Sequence, residues 1–207
     1  MKILLMNGSP HAKGATKRAL DECESSFKNH GCETEYVLIG KGSVHPCNAC
    51  GKCKGTSSCI YKDIEHIVTA LSNADGIIIG TPTHYGNAPG SLYSVLSRLI
   101  FSAKRYIEYK PIAVIGTGRR GCISSAICDV QKFFSFCSCP IVSGNYPALL
   151  YASDYDSACF DAEGLQNMRS ISENMYWIVS AIKAAEKIGI THPISEQKIK
   201  TDLPSLL

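Results

Sequence analysis

The sequence predicts an α/β fold in which helices cover both faces of a parallel β-sheet. Short apolar runs alternate with longer amphipathic segments along the 207 residues, which is the pattern of successive βαβ units. One of these runs, Gly76–Gly80, is apolar on both faces, as a strand in the middle of a parallel sheet must be. The length and the hydrophobic content of 45% suit one α/β domain with a sizeable core, spanning residues 1–207.

Five strands and five helices are expected. The strands are short apolar runs bounded by turn residues, whereas in the helices apolar residues recur every three or four positions. The predicted strands are Lys2–Met6, Glu33–Ile39, Gly76–Gly80, Ile112–Ile115 and a strand near Pro140–Ser143. The predicted helices are Ala15–Asn29, a helix through Ser72 with Asp63 as its N-cap, Ser91–Lys104, Ile123–Phe136 and Gly164–Lys187. A cysteine-rich loop occupies residues 44–62, and no element is predicted for Ala148–Phe160.

The charge and the hydropathy pattern exclude several classes of protein. The formal net charge is +3, from 21 basic and 18 acidic residues, and no basic run marks a nucleic-acid or anionic-membrane surface. The apolar run Met1–Met6 ends at Asn7 and is too short for a secretory signal. No stretch approaches the roughly 18 apolar residues of a membrane span. We therefore expect a cytoplasmic protein that binds neither nucleic acid nor membrane.

Three loops of unusual composition follow the first, third and fourth predicted strands, whose carboxyl ends form the ligand edge of such a sheet. Gly8–Thr16 places hydroxyls and backbone N–H groups at a helix N-terminus, where an anion binds. Thr81–Gly90 is rich in Pro, Gly and aromatic residues, which suits a planar ring. Gly116–Gly121 has three glycines that permit close backbone approach. Its Arg119 and Arg120 either offset negative charge on a reduced ring, bind a partner's carboxylates, or are solvated. Each loop alone could be an ordinary turn, but all three at one edge indicate one binding site.

The residue pattern of these loops resembles the FMN-reductase branch of the flavodoxin-like superfamily. The matching runs are Gly-Ser-Pro-x4-Ala-Thr, Thr-Pro-Thr-His-Tyr-Gly-Asn and Gly-Thr-Gly-Arg-Arg-Gly. The resemblance extends through Gly144 and returns near Glu163–Leu165. It implies a flavodoxin-like, doubly wound five-stranded parallel sheet of order 2-1-3-4-5, with helices on both faces and FMN as the cofactor.

The resemblance also implies which residues hold FMN. The first loop holds the phosphate, the second frames the isoalloxazine ring and the third closes its other side. The implied residues are Ser9, His11, Ala15 and Thr16, then Pro82, Thr83, His84, Tyr85, Gly86 and Asn87, then Thr117 and Gly118. Relatives often carry Arg at the position of His11 and Asn at that of Ala15, so phosphate binding is expected to be weaker here. His84 occupies a position that is often Tyr.

Four of the eleven cysteines lie close together. The spacing Cys47-x2-Cys50-x2-Cys53-x5-Cys59 lets thiolates of one turning loop face a common centre, as Fe–S clusters require. Zinc usually takes two separate C-x2–4-C pairs instead. The pattern resembles the iron–sulfur flavoproteins of the same superfamily, which implies a [4Fe–4S] cluster near FMN. Cluster-free relatives can keep these cysteines, and the alternative is that the thiols pack the loop or pair reversibly. Most of the other seven are expected to pack as small hydrophobes.

Two functions stay open for a flavin-dependent oxidoreductase. The first is an electron-transfer flavoprotein that takes electrons from a ferredoxin-type donor through the cluster and FMN to a small acceptor, namely oxygen, peroxide or a quinone-like molecule. The alternative is a cluster-free, NAD(P)H-dependent reductase of flavins, quinones, azo dyes or nitroaromatics. A metal-bearing interaction module without turnover leaves the three loops without a role.

No catalytic side chains are predicted, because no acid–base or nucleophile constellation is recognisable. His45, His66 and His192 are expected to be surface or packing residues. Relatives assemble as dimers or tetramers, which implies a homodimer or homotetramer, and Tyr146–Tyr155 is a candidate for the interface or for a lid.

Overall fold

The protein is built around a five-stranded β-sheet with helices on both sides. The structure is a computed structural model that describes residues 1–39, 42–54, 56, 58–194, 196 and 199. The strands are β1 (Lys2–Asn7), β2 (Glu33–Leu38), β3 (Gly76–Pro82), β4 (Ile112–Gly118) and β5 (Leu149–Tyr151). The helices are α1 (Ala15–Asn29), α2 (Glu65–Asn73), α3 (Gly90–Ser102), α4 (Ile123–Ser135) and α5 (Ala162–Lys187). Short 3-10 turns cover Lys62–Ile64, Lys104–Tyr106 and Ser157–Phe160.

All five strands are parallel and lie in the order β2-β1-β3-β4-β5, which confirms the predicted topology. Successive side chains of a strand point to opposite faces, and β1 divides its residues accordingly. Leu4 and Met6 belong to the core formed with α2, α3 and α4. Ile3 and Leu5 belong to the core formed with α1 and α5. The order reverses at β1, so the connections after β1 and β3 diverge at the carboxyl edge and leave a crevice.

The predicted helices are all present, with ends within about two residues of the expected ones. α1 has the predicted bounds, and α5 begins at Ala162, where the side chain of Asp161 accepts a hydrogen bond from the backbone N–H of Gly164 at 2.9 Å. None of the helices in the described part of the chain is long and apolar enough to cross a membrane.

The fifth strand lies at a different place from the predicted one. Pro140–Ser143 contributes an isolated bridge between Ile141 and Ile112, whereas β5 pairs with the end of β4. Pro140 has no N–H to donate to a ladder, and the chain leaves the sheet before it returns at Leu149. The stretch without a predicted element therefore contains the edge strand. A strand of only three residues is too short to show an alternating pattern.

The predicted N-cap role of Asp63 is wrong. The 3-10 turn Lys62–Ile64 precedes α2, and α2 begins at Glu65 without a side-chain cap. The carboxylate of Asp63 bonds to Arg98 on α3 instead, at 2.5 and 2.7 Å. The carboxylate of Asp63 is therefore used in a long-range ion pair and does not cap α2.

Candidate functional site

The loops after β1, β3 and β4 line one open cleft at the carboxyl edge of the sheet. Its volume is about 330 Å³, which lies within the range of small-molecule sites. The segment after β5 adds a fourth wall through Ala152 and Ser153. The predicted cofactor residues that line the cleft are Ser9, His11, Ala15, Thr16, Pro82, Thr83, His84, Thr117 and Gly118. Both arginines of the third loop are exposed, and Arg119 lines the cleft whereas Arg120 does not.

Three predicted cofactor residues lie outside the walls of this cleft. Tyr85, Gly86 and Asn87 belong to a tight turn that His84 and Asn87 close through paired backbone hydrogen bonds of 2.8 and 3.0 Å. Tyr85 stands at its tip with φ +50° and a fully exposed side chain. The turn is stabilised by its own backbone and projects beyond the cleft.

One end of the cleft is suited to an anion. α1 begins directly after Gly14, which has no side chain to cap the first N–H groups of the helix. These groups have no partner within the helix, and the helix dipole makes them attractive to negative charge. Ser9 is buried beside them, and its hydroxyl accepts a hydrogen bond from the N–H of His11 at 3.1 Å. The arrangement has the chemistry of an anion-binding site.

Two threonines join the first loop to the third. The hydroxyl oxygens of Thr16 and Thr117 are 2.7 Å apart, and both residues are almost completely buried. Each hydroxyl has one proton, so only one of the two is used in this bond. The other proton is left for a further acceptor. Backbone bonds from Gly8 N–H to Gly80 O and from Thr83 N–H to Thr117 O, both 2.8 Å, hold the three loops together.

An unpaired hydroxyl in the cleft wall points to a ligand. Thr83 Oγ1 is buried and has no hydrogen-bond partner, and no other side-chain nitrogen or oxygen shares this state among the described residues. Leaving such a group unpaired costs about 1–3 kcal/mol, so a ligand that bonds it is favoured. A free helix N-terminus, a paired threonine bridge and this hydroxyl together fit the phosphate and the polar ring edge of FMN.

The four clustered cysteines line a second cavity, of about 250 Å³, between their loop and α3. Cys47 and Cys50 are exposed, and Cys53 and Cys59 are half-buried. Within the described residues, no group of three or more His, Cys, Asp or Glu side chains is arranged to hold a metal ion. The structure thus brings the four thiols to one cavity but not to the common centre that the spacing predicts. Gly55 and Ser57 of this loop lie outside the described residues.

Arg98, to which the sequence assigns no role, lies against this loop from α3 with 1% of its surface exposed. All five of its N–H groups face acceptors: Nε donates to Cys59 Sγ (3.4 Å), Nη1 to His45 O (3.2 Å) and Asp63 Oδ2 (2.7 Å), and Nη2 to Tyr61 O (2.7 Å) and Asp63 Oδ1 (2.5 Å). The hydrogen-bonded ion pair lowers the pKa of Asp63 and raises that of Arg98. The sequence feature that could have indicated this role is the single charged residue inside the apolar stripe of α3.

Three histidines lie at the surface or pack against aromatic rings, as the sequence predicts for them. His45 stacks on Tyr61 and His192 on Tyr109, at ring-centroid distances of 4.3 and 4.4 Å. His66 is exposed on α2.

The scattered cysteines divide into two groups. Cys23, Cys32 and Cys137 are buried and Cys139 is half-buried, whereas Cys122, Cys128 and Cys159 are exposed. The packing role that the sequence predicts for most of the seven is therefore confirmed for the first four, and the exposed three lie on helix surfaces or in turns.

Comparison with known proteins agrees with this architecture. The sequence model of the NADPH-dependent FMN reductase family matches residues 1–154. Two iron–sulfur flavoproteins of Methanocaldococcus jannaschii are 27% and 28% identical to this chain over 192 and 193 residues. The alignments cover 88% and 86% of this chain and 100% and 97% of those proteins.

Among solved structures, a WrbA-like flavodoxin from Agrobacterium tumefaciens superposes with a TM-score of 0.61 at 14% identity, covering 87% of this chain and 97% of its own. That likeness concerns the fold, and the family match extends over the three loops of the cleft. The chain belongs to the NADPH-dependent FMN reductase family and is a flavin-dependent oxidoreductase with a flavodoxin-like fold.

Proposed function

We propose that the protein is an FMN-dependent electron-transfer flavoprotein that connects a [4Fe–4S] cluster, FMN and a small acceptor. The donor is of the ferredoxin type, and the acceptor is oxygen, peroxide or a quinone-like molecule. The observation that carries the proposal is that four thiols from thirteen consecutive residues line one cavity against a buried arginine. The names of the curated relatives, iron–sulfur flavoproteins that align over most of the chain, support it.

FMN is assigned to the cleft at the carboxyl edge of the sheet. Bound there, FMN supplies both one-electron and two-electron chemistry, so the protein needs no acid–base side chain of its own. Ser9, His11, Ala15 and Thr16 surround the free start of α1 and would bind the phosphate. The residues assigned to the ring are Pro82, Thr83, His84, Thr117 and Gly118, with the turn Tyr85, Gly86 and Asn87 at its outer edge.

The cluster is assigned to Cys47, Cys50, Cys53 and Cys59. Four thiolates are the donor set that Fe–S clusters take, and a cluster there supplies one-electron transfer. Metal binding and local folding are coupled, so the exposed Cys47 and Cys50 are the ligands expected to move most when the site is loaded. A hydrogen bond to Cys59 Sγ from Arg98 already has the form found around cluster sulfurs.

A second function, NAD(P)H-dependent reduction without a cluster, is favoured by two observations. The family match is to NADPH-dependent FMN reductases, and the cleft is open to solvent with Arg119 on its wall. In this case the nicotinamide and the acceptor use the same cleft in turn, and Arg119 attracts the dinucleotide phosphates. Hydride transfer has no need of the cysteine loop, which is the feature that separates the two functions.

The test is the Cys53→Ala variant, purified without oxygen and compared with Cys128→Ala. Cys128 is an exposed thiol on α4, outside the cysteine loop, so its loss serves as the matched control. We expect Cys53→Ala to lose iron and acid-labile sulfide while it retains FMN, and Cys128→Ala to retain all three. Full iron content in Cys53→Ala would remove this residue from the ligand set. NADPH oxidation by an iron-free wild-type protein would establish the second function.

We also propose a homodimer or homotetramer in the cytoplasm. The stretch around β5 carries Tyr146 and Tyr151, whose side chains are 62% and 51% exposed. Light scattering of the wild type and of a Tyr146→Ser/Tyr151→Ser variant tests this, since a smaller particle is expected for the variant. A monomeric wild type would contradict the proposal.

A further inference from the structure

We propose that Arg98 is a positioning residue that makes Cys59 electronically different from the other three cysteines of the loop. Its guanidinium fixes the loop to α3 and directs one N–H to the sulfur of Cys59. The inference rests on the proposed function, because its electronic consequence requires the cluster. The positioning role of Arg98 concerns the loop alone and does not require the cluster.

The base of this arrangement is rigid. α3 presents Leu92, Val95, Leu96 and Leu99 to the core, and each is at most 1% exposed. Arg98 lies on the same helix, and its side chain extends from this packed surface into the cysteine loop. Because the helix cannot shift without disturbing the core, the guanidinium occupies a fixed place and the loop adapts to it.

The fork of Arg98 connects both ends of the loop to the turn that follows it. It bonds the carbonyl oxygens of His45 and Tyr61, which stand on either side of the cysteines, and holds the carboxylate of Asp63 with both ends. The carboxylate compensates the buried positive charge of Arg98. Burial of the guanidinium without this partner would be costly. The other four N–H groups of Arg98 bond these oxygen atoms. The remaining donor, Nε–H, faces Cys59 Sγ at 3.4 Å. A lysine has a single nitrogen and cannot reproduce this fork.

This contact distinguishes Cys59 from its neighbours. Of the four thiols, in the part of the chain that the structure describes, Cys59 is the one whose sulfur receives a hydrogen bond. Cys47 and Cys50 are exposed to solvent. A donor to a ligand sulfur stabilises the more negative, reduced form of a cluster and raises its reduction potential. Cys59 is therefore the ligand sulfur through whose hydrogen bond Arg98 tunes the potential.

The test compares three variants of the reconstituted full-length protein by anaerobic dithionite titration of the cluster. Arg98→Lys keeps a positive charge but loses the Nε–H donor, so the potential is expected to fall. The expected size is about tenfold in the oxidised-to-reduced ratio, which is 59 mV for one electron. Asp63→Asn keeps the donor and leaves the charge of Arg98 uncompensated, so the potential is expected to rise. Arg169 of α5 pairs with Glu22 of α1 on the other face of the sheet from α3. The control variant Arg169→Lys is therefore expected to leave the potential unchanged.

Opposite shifts in Arg98→Lys and Asp63→Asn are a signature that general loosening of the loop does not produce. Shifts of the same sign, or none, would overturn the inference and leave the proposed function intact. If Arg98→Lys assembles no cluster, Asp63→Asn decides: a rise supports the inference, and a fall or no change overturns it.

A second readout needs no cluster. Hydrogen exchange of the peptides covering residues 44–63 in iron-free protein is expected to quicken in Arg98→Lys and to stay unchanged in Arg169→Lys. Equal exchange in Arg98→Lys and the wild type would overturn the positioning role. A wild type that takes up no iron or sulfide overturns the proposed function and the electronic role together, and this exchange experiment then decides the positioning role separately.

Discussion

The flavin cleft and the cysteine loop are two ligand regions that the same fold organises in different ways. The walls of the cleft are strand ends, held by backbone hydrogen bonds such as Gly8 N–H to Gly80 O. Residues 42–61 have no helix or strand in their described part. Val44 and Cys59 pack against the core, and the buried side chain of Arg98 bonds the segment to α3. A parallel sheet thus preorganises its carboxyl edge through backbone hydrogen bonds, whereas a long insertion without regular structure needs a side chain that anchors it.

Removal of Arg98 is expected to have the largest effect on stability. In Arg98→Met the carboxylate of Asp63, which is 25% exposed, loses its partner, and the carbonyl oxygens of His45 and Tyr61 lose their donors. Together these losses are expected to cost about 3 kcal/mol, the lower end of the range for breaking a buried ion pair. We expect the free energy of unfolding, measured with urea on iron-free protein, to fall by about this amount. The double variant Arg98→Met/Asp63→Asn removes both charges and is expected to recover part of the loss. A double variant no more stable than Arg98→Met would contradict the assignment to the ion pair.

The cleft is expected to respond to crowding at the strand ends. A Cβ atom on Gly116 would lie 2.5 Å from Cγ2 of Ile123 and 2.8 Å from Cγ1 of Ile127. Overpacking of this kind costs about 2 kcal/mol, so Gly116→Ala is expected to lower the unfolding free energy by that amount and to loosen FMN. Gly121→Ala is the control, since a Cβ there meets nothing within 4 Å. Equal stability of the two variants would show that the close packing of β4 against α4 is not required.

A smaller effect is expected from the bridge between the first and third loops. Thr16→Val removes the hydroxyl that lies 2.7 Å from Thr117 Oγ1 and keeps the side-chain volume. We expect FMN to dissociate about tenfold more readily, equivalent to about 1.4 kcal/mol. Thr69→Val on α2, where an exposed hydroxyl bonds a helix carbonyl, is the control. An unchanged FMN dissociation constant in Thr16→Val would contradict the placement of the phosphate.

The smallest effect is the pH dependence of stability that the carboxylate of Asp63 contributes. The bonds from Arg98 lower the pKa of Asp63, so the native state binds fewer protons than the unfolded chain below about pH 4. The stability that this carboxylate contributes is complete above the unfolded pKa of about 3.9 and is lost as the pH falls through the folded pKa. Unfolding free energies measured between pH 6 and pH 3 are expected to fall more steeply for the wild type than for Asp63→Asn. Parallel curves would contradict this role.

The parts of the molecule that the sequence predicts are those with local or periodic signals. The central strands, the five helices and the loops at the carboxyl edge all carry such signals. β5 does not, because three residues at a sheet edge are too few for a pattern. The partnership of Arg98 with Asp63 spans 35 residues and has no local trace beyond one charge in an apolar stripe. Asp63 has the composition of a helix cap, and only the packing of α3 against the loop reveals its other role.

In the candidate site, too, the residues of the strand-end loops could be predicted from the sequence, whereas the contacts between the loops could not. Residues predicted on the strand-end loops, such as Ser9 and Thr117, do line the cleft. Tyr85 is predicted with them but is carried outward by a turn whose backbone closes on itself. The hydrogen bond between Thr16 and Thr117 connects two loops 101 positions apart, a distance at which residue type alone predicts no contact.

The content of iron, acid-labile sulfide and FMN in protein purified without oxygen tests the proposed cluster most directly. A [4Fe–4S] flavoprotein is expected to contain about four irons and four sulfides per FMN. FMN with negligible iron and sulfide, in protein that reduces its flavin with NADPH, would contradict the cluster and leave the cysteine loop with a packing or thiol-pairing role.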